Sequence, residues 1–298
     1  MPPVVTEPTP SGPVAAPTGS DPKAAAEVMN HWADQEPKKG VVYLGINDDS
    51  REAESKVLAG QPGATIVKGA GTNQAMQGKT MAADGKTVLD LENKDDVARF
   101  LKESGVGAQR TGPDGQKESP EEAAKRVAAL QELFLGKPDE KPVRGRKGIN
   151  PKARDEMADF VRVLQQVEEG KLGMDRLIIS GHCDGNKIYG AGGGVKLEQL
   201  QAMMDLFPKA QQGVDDLMLS ACHTLENGRS NKDGSPYKSM FPGLESVWGY
   251  DGRSPDFRTG SPEHIRNWLG ASAGGSSERI EDAAKGAHAN ATVRKFAP

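Results

Sequence analysis

Two stretches decide how this chain is read. They are Arg176-Leu177-Ile178-Ile179-Ser180-Gly181-His182-Cys183-Asp184-Gly185 and Leu217-Met218-Leu219-Ser220-Ala221-Cys222-His223-Thr224. Each opens on a short apolar run of the length and composition of a fully buried strand, and each then passes into reactive side chains. Residues 197–207, between them, read as an amphipathic helix that Pro208 stops. Strand, helix and strand in that order form a right-handed crossover between parallel neighbours. Both reactive ends then emerge at one carboxyl edge, where open α/β sheets bind their ligands. A His and a Cys 40 residues apart in sequence are thereby brought together.

The flanking sequence fits the same plan. Residues 40–47 (GVVYLGIN) read as a buried strand, 64–68 (ATIVK) as a weaker one, and 216–220 and 245–250 as two more. Residues 88–103 are expected to form a helix. Ser119-Pro120-Glu121-Glu122 is a helix start, with Ser as cap, Pro at the first helical position and Glu122 closing a capping box. Val127, Leu130, Leu133 and Phe134 follow on one face. Asn150-Pro151 starts another helix, with Met157, Phe160, Val161, Leu164 and Val167 at helical spacing, ended by Gly170 and Gly173. Residues 262–269 and 277–287 also read as helices. Strands alternating with helices imply a mostly parallel sheet covered on both faces. Residues 1–37, rich in Pro, Ala, Thr and Gly, have too little apolar surface to offset the entropy of ordering and are expected to be a disordered tail. Residues 38–298 then form one domain with an insertion at about 70–148, closing on a basic, Pro-containing linker at 137–148.

Composition excludes several classes. A net charge of −4 gives no general attraction to nucleic acid or to an anionic membrane. No apolar run approaches the ~18 residues of a membrane helix. Residues 1–22 lack the basic start and apolar block of a secretory signal. A soluble, cytoplasmic protein is therefore expected. The 2 cysteines, Cys183 and Cys222, are too few for a disulfide scaffold and point to catalysis, metal binding or plain burial.

An imidazole beside a thiol raises the thiolate fraction at neutral pH and so activates the nucleophile. The two strand ends resemble those of the clan CD cysteine peptidases: caspases, metacaspases and the bacterial caspase-like domains known as CHAT. There a hydrophobic strand ends in a catalytic His followed by Gly, and the next ends in a catalytic Cys after a small residue. His182 falls on the His position and Cys222 on the Cys position. Leu219-Ser220-Ala221-Cys222 followed by Thr224 resembles the CHAT version, Cys222-His223 the metacaspase step, and 182–190 the caspase run after the His. The resemblance implies a caspase-like three-layer α/β/α sandwich and a cysteine endopeptidase that needs no cofactor or metal. Cys222 would attack a peptide carbonyl and His182 would move the protons. Backbone N–H groups of Cys183 and Cys222 would hold the oxyanion. Its partners would be a protein or peptide substrate and an activating protein.

The chain departs from the family pattern at two positions. Cys183 stands where the family has Gly, and Ser220 replaces the Asp found two residues before the metacaspase Cys. Asp48, Asp184, Ser220 and Asp251 are the candidate substrate-binding residues. The polar segment 226–242 corresponds to the caspase loop that is cut on activation, which makes Arg229, Lys232 and Lys238 candidate autocleavage sites. Other readings compete: a buried structural thiol at Cys222, a swapped Cys183–His223 pair, and a Cys183–Cys222 disulfide. A zinc site on His182, Cys183, Cys222 and His223 would need adjacent residues to converge, although neighbours on an extended chain point to opposite sides. The Cys183 departure also motivates a reading from another class, a catalytically inactive caspase-like binding or regulatory module.

Overall fold

The computed structural model describes residues 39–46, 48–71, 73–112, 116–136, 148–191, 193–274 and 276–297. All of the expected tail at 1–37, and the 137–148 linker except Gly148, lie outside these residues. The main sheet is built from β1 (Val41–Gly45), β2 (Ala64–Val67), β5 (Arg176–Ser180), β9 (Asp216–Ser220), β10 (Ser246–Tyr250) and β11 (Ala291–Lys295). Their order is β11-β10-β9-β5-β1-β2. The first five run parallel to their neighbours and β11 closes one edge antiparallel.

Alternate side chains divide between two cores. Val42, Leu44, Leu177, Ile179, Leu217 and Leu219 face one apolar cluster, and Val41, Tyr43, Ile178, Met218 and Trp248 face the other. Burial on both sides is why these strands read as unbroken apolar runs. On the first side lie α2 (Lys94–Glu103), α3 (Pro120–Leu135), α4 (Arg154–Glu168), α5 (Leu197–Met204) and α6 (Pro208–Gln212). On the second lie α1 (Asp48–Leu58), α8 (Ser261–Ser272) and α9 (Ser277–Ala287). The chain is therefore an α/β protein with a largely parallel sheet between helical layers. No described helix is long and apolar enough to cross a membrane.

Local chemistry accounts for several boundaries. Ser119 and Glu122 form the expected capping box of α3. Asn150 caps a short 3-10 turn, Pro151–Ala153, that leads into α4. The expected helix over 88–103 forms only in its second half. Val88–Asp90 is instead strand β4, paired with β3 (Lys79–Met81), and Asn93 caps α2 through the N–H groups of Asp95 and Asp96. Pro208 does more than stop a helix, because it occupies the first position of α6. Residues 79–112 and 116–135 contribute to the first core: Leu89, Phe100 and Phe134 belong to the same cluster as Val42 and Leu177.

The amino-terminal edge of the sheet gathers carboxylates. Asp175 accepts from the Gly40 N–H, and Asp216 accepts from the Ser246 hydroxyl. Burial, then Glu245 and Asp175, pushes Asp215 up to about 7. Burial pushes Asp216 up to about 6 against the Ser246 hydrogen bond. Both folded values are raised, so protonation favours the folded chain. That stabilisation is complete below the ordinary carboxylate range and is lost as pH climbs through about 6 and about 7. Thermal unfolding should therefore occur at a higher temperature at pH 5 than at pH 8, and Asp215→Asn should narrow the gap. An Asp215→Asn protein with an unchanged gap would contradict this assignment.

Candidate active site

Strands β5 and β9 pair in parallel with Ser180 opposite Ser220, and the Gly181 N–H extends the ladder by donating to the Ser220 carbonyl at 3.3 Å. His182 and Cys222 each lie two residues past this pair, at the same carboxyl edge. Side-chain parity along the strands sets which way each residue points. Ile178 and Met218 face the α1/α8 layer, whereas Ile179, Leu219 and Cys183 face the opposite core. His182 therefore projects away from Cys183.

His182–Cys183 forms the short strand β6, which pairs with β7 (Lys187–Gly190), itself paired with β8 (Gly193–Lys196). The β6–β7 turn is tight. Gly185 has φ 95°, which a residue with a Cβ resists. Asp184 Oδ1 accepts from the N–H groups of Asn186 and Lys187 at 3.0 and 2.9 Å. The His182 imidazole is exposed, with its ring centroid 5.6 Å from that of Tyr189. Cys183 is buried, and its Sγ accepts from the Gly185 N–H at 3.2 Å. Burial pushes the Cys183 thiol up to about 11, so it stays protonated at neutral pH. Cys183 occupies extended strand backbone, where a Cβ carries no strain. The Asp184 N–H donates to the Lys187 carbonyl, and the alternation of an antiparallel ladder then turns the Cys183 N–H away from β7.

Cys222 is half-buried. The chain turns sharply after it: His223, at φ 58°, is the one non-glycine residue with positive φ among those described. Its N–H donates to the Gly252 carbonyl at 2.6 Å, and its Nδ1 lies 3.0 Å from Glu226 Oε1. Thr224 fastens the turn to β10, its Oγ1 donating to the Ala221 carbonyl at 3.2 Å and accepting from the Tyr250 N–H at 3.0 Å. A residue the sequence did not single out meets the thiol. Ser254, in the loop after β10, places its Oγ 3.4 Å from Cys222 Sγ and donates its N–H to the same sulfur at 3.4 Å. The one available signal was that 251–256 comes after a parallel strand and so belongs to the same edge.

Beneath the pair lies a buried carboxylate that sequence reasoning also missed. Glu54, on α1, is 1 % exposed. It accepts from Tyr43 Oη at 2.7 Å, from Ser220 Oγ at 3.3 Å and from Ser261 Oγ, and the nearby Ser180 hydroxyl also favours its charged form. Burial raises its pKa and these four hydroxyls oppose the rise. One side chain thus ties together β1, β9 and the start of α8.

The candidate substrate-binding residues each have a partner. Asp48 Oδ1 lies 2.8 Å from an Arg51 nitrogen. Asp184 braces its own turn, the Ser220 hydroxyl points inward to Glu54, and both Asp251 oxygens accept from Asn227. The polar loop after Cys222 is fastened to the His182 hairpin. Arg229 donates to the Asp184 carbonyl, and Asn231 Nδ2 donates to the Gly185 carbonyl at 3.2 Å and the His223 carbonyl at 3.3 Å.

Cys183 and Cys222 are free thiols. A protonated Cys183 facing the core and a His223 ring held by Glu226 do not favour the swapped pair. Among the described residues, no three His, Cys, Asp or Glu side chains gather as a metal-ligand set. Comparison with protein-family models, with curated proteins and with solved structures finds no match.

This geometry carries two expected outcomes. Removing the Glu54 carboxylate leaves several buried hydroxyls without an acceptor, each at a cost of about 1–3 kcal/mol. Glu54→Ala should lose about 3 kcal/mol in denaturant unfolding and Glu54→Gln clearly less; a loss below about 1 kcal/mol for Glu54→Ala would contradict the role given to Glu54. Arg229 and Lys232 sit in exposed turns, whereas Lys238 lies in helix α7 (Ser235–Met240) with its Nζ on the Leu244 carbonyl at 2.8 Å. Limited trypsin digestion should cut at Arg229 or Lys232 before Lys238, and the reverse order by mass spectrometry would contradict that reading.

Proposed function

We propose that this chain is a cysteine endopeptidase of caspase-like fold, acting on protein or peptide substrates through Cys222 and His182. The observation that carries the proposal is the pairing of β5 with β9, Ser180 opposite Ser220, which sends both residues out at one edge two positions later. A parallel sheet between helical layers agrees with the resemblance of the two strand-end motifs. Cys183 lies in extended backbone with its thiol in the core, which supports an active site over an inactive module: the Gly-to-Cys change needs no distortion there.

In this reading the Cys222 thiol gives its proton to the His182 imidazole. The thiolate attacks the peptide carbonyl carbon, and the carbonyl electron pair moves onto oxygen, where the N–H groups of Cys222 and Cys183 receive it. Collapse expels the amine, which takes the proton from His182, and water then hydrolyses the thioester. Among the described residues no carboxylate is hydrogen-bonded to His182, so the unit is a dyad and Tyr189 is the ring beside the imidazole. The expected setting is the cytoplasm. The fastened loop at 226–234 suits activation by a protein partner or by autoprocessing, since either would free it from the His182 hairpin.

An electrophilic peptide probe should label Cys222, fail with Cys222→Ala, and fall at least 100-fold in rate with His182→Ala, roughly the contribution of a general base. Labelling at the wild-type rate in His182→Ala, or modification of Cys183 instead, would overturn the dyad.

A further inference from the structure

The contact between Ser254 and Cys222 has no part in a two-residue scheme, yet it touches the atom that would react. We propose that Ser254 is a third member of this site, holding Cys222 Sγ in place and stabilising its anionic form; the proposal rests on Cys222 being the nucleophile.

Two donors of one residue converge on the sulfur: the Ser254 N–H at 3.4 Å and its hydroxyl at 3.4 Å. Distances of this length are ordinary for the large sulfur atom. In the neutral thiol, the S–H and the hydroxyl compete to donate. Once the proton has passed to His182 the sulfur has no hydrogen, so the hydroxyl can only donate. Both Ser254 groups then point at the negative charge, and a hydrogen bond to an ionised acceptor is roughly twice as strong as a neutral one. The arrangement thus favours the thiolate over the thiol. Among the described residues His182 has the Tyr189 ring beside it but no hydrogen-bonded partner, so hydrogen-bonded positioning of the pair falls on the sulfur side.

Ser254 is itself held. The Arg253 carbonyl accepts from Asn290 Nδ2 at 3.0 Å, the Asp251 N–H donates to the Asn290 carbonyl at 2.8 Å, and Asp251 also grips Asn227. Pro255, next in the chain, is buried. The loop is therefore anchored on both sides of Ser254, and the neighbouring Gly252 carbonyl takes the N–H of His223 in the turn after Cys222. Ser254 and Cys222 are both half-buried.

The test is the rate of Cys222 alkylation by iodoacetamide from pH 5 to 10, read on the Cys222 peptide by mass spectrometry, in the full chain. Ser254→Ala removes the hydroxyl and keeps the N–H. It should slow alkylation about 3- to 10-fold at pH 6.5 and leave the rate at pH 10 unchanged, a pH above the ordinary range of cysteine thiols. Ser254→Thr should restore the wild-type profile. A Ser254→Ala profile that superposes on wild type, or one lowered equally at every pH, would overturn the proposal, the latter marking a structural role. The same measurement on His182→Ala separates the two ideas: a shift with Ser254→Ala and none with His182→Ala defeats the dyad alone, and the converse defeats the Ser254 assignment alone.

Discussion

Everything at the candidate site depends on the parallel pairing of β5 with β9 over the buried Glu54. A carboxylate at 1 % exposure is tolerable only when its oxygens are hydrogen-bonded. Those hydrogen bonds come from hydroxyls on β1, β9 and α8. Ser180 and Ser220 share the Glu54 face only in the observed register, because a slip of one residue would turn one of them toward the opposite core. The same pairing sets how far each strand carries its reactive residue, so the hub that fixes the strand ends also fixes where His182 and Cys222 emerge.

Above the hub, the loops are cross-tied. Thr224 joins the Cys222 turn to β10, Asn231 joins that turn to the His182 hairpin, and Asn290 holds the loop that brings Ser254 to the sulfur. Strain falls beside the reactive atom: His223, next to Cys222, takes the left-handed conformation that costs a side-chain-bearing residue of order 1 kcal/mol or more. Cys183 shows the opposite. The position expected to need Gly is ordinary strand, and the thiol there is kept neutral by burial.

The strands of the parallel sheet were legible because burial on both faces leaves an unbroken apolar run, and the capped helices because Ser119, Glu122 and Asn150 act locally. The short antiparallel pieces were not. Strands β6 to β8 are two to four residues of mixed polarity, defined by a glycine turn and mutual pairing more than by periodicity. Val88–Asp90 shows only one buried residue and reads in sequence as the start of the next helix. At the site, the His and Cys positions were readable from strand ends, which are local. Glu54 and Ser254 were not, since each acquires meaning from partners far away in sequence: Glu54 looks like one more charge on an amphipathic helix, and Ser254 like a loop serine before a proline. The candidate carboxylates Asp48, Asp184 and Asp251 were visible as loop-end acids, but only the fold reveals that Arg51, a tight turn and Asn227 engage them.

The measurement closest to the central claim is a mass-spectrometric map of new protein N-termini after a protein mixture is incubated with the wild-type chain, with Cys222→Ala and with His182→Ala. The dyad predicts termini that the wild-type chain generates and both variants fail to generate. The same set of termini from the wild-type chain and from Cys222→Ala, whether rich or empty, would contradict it.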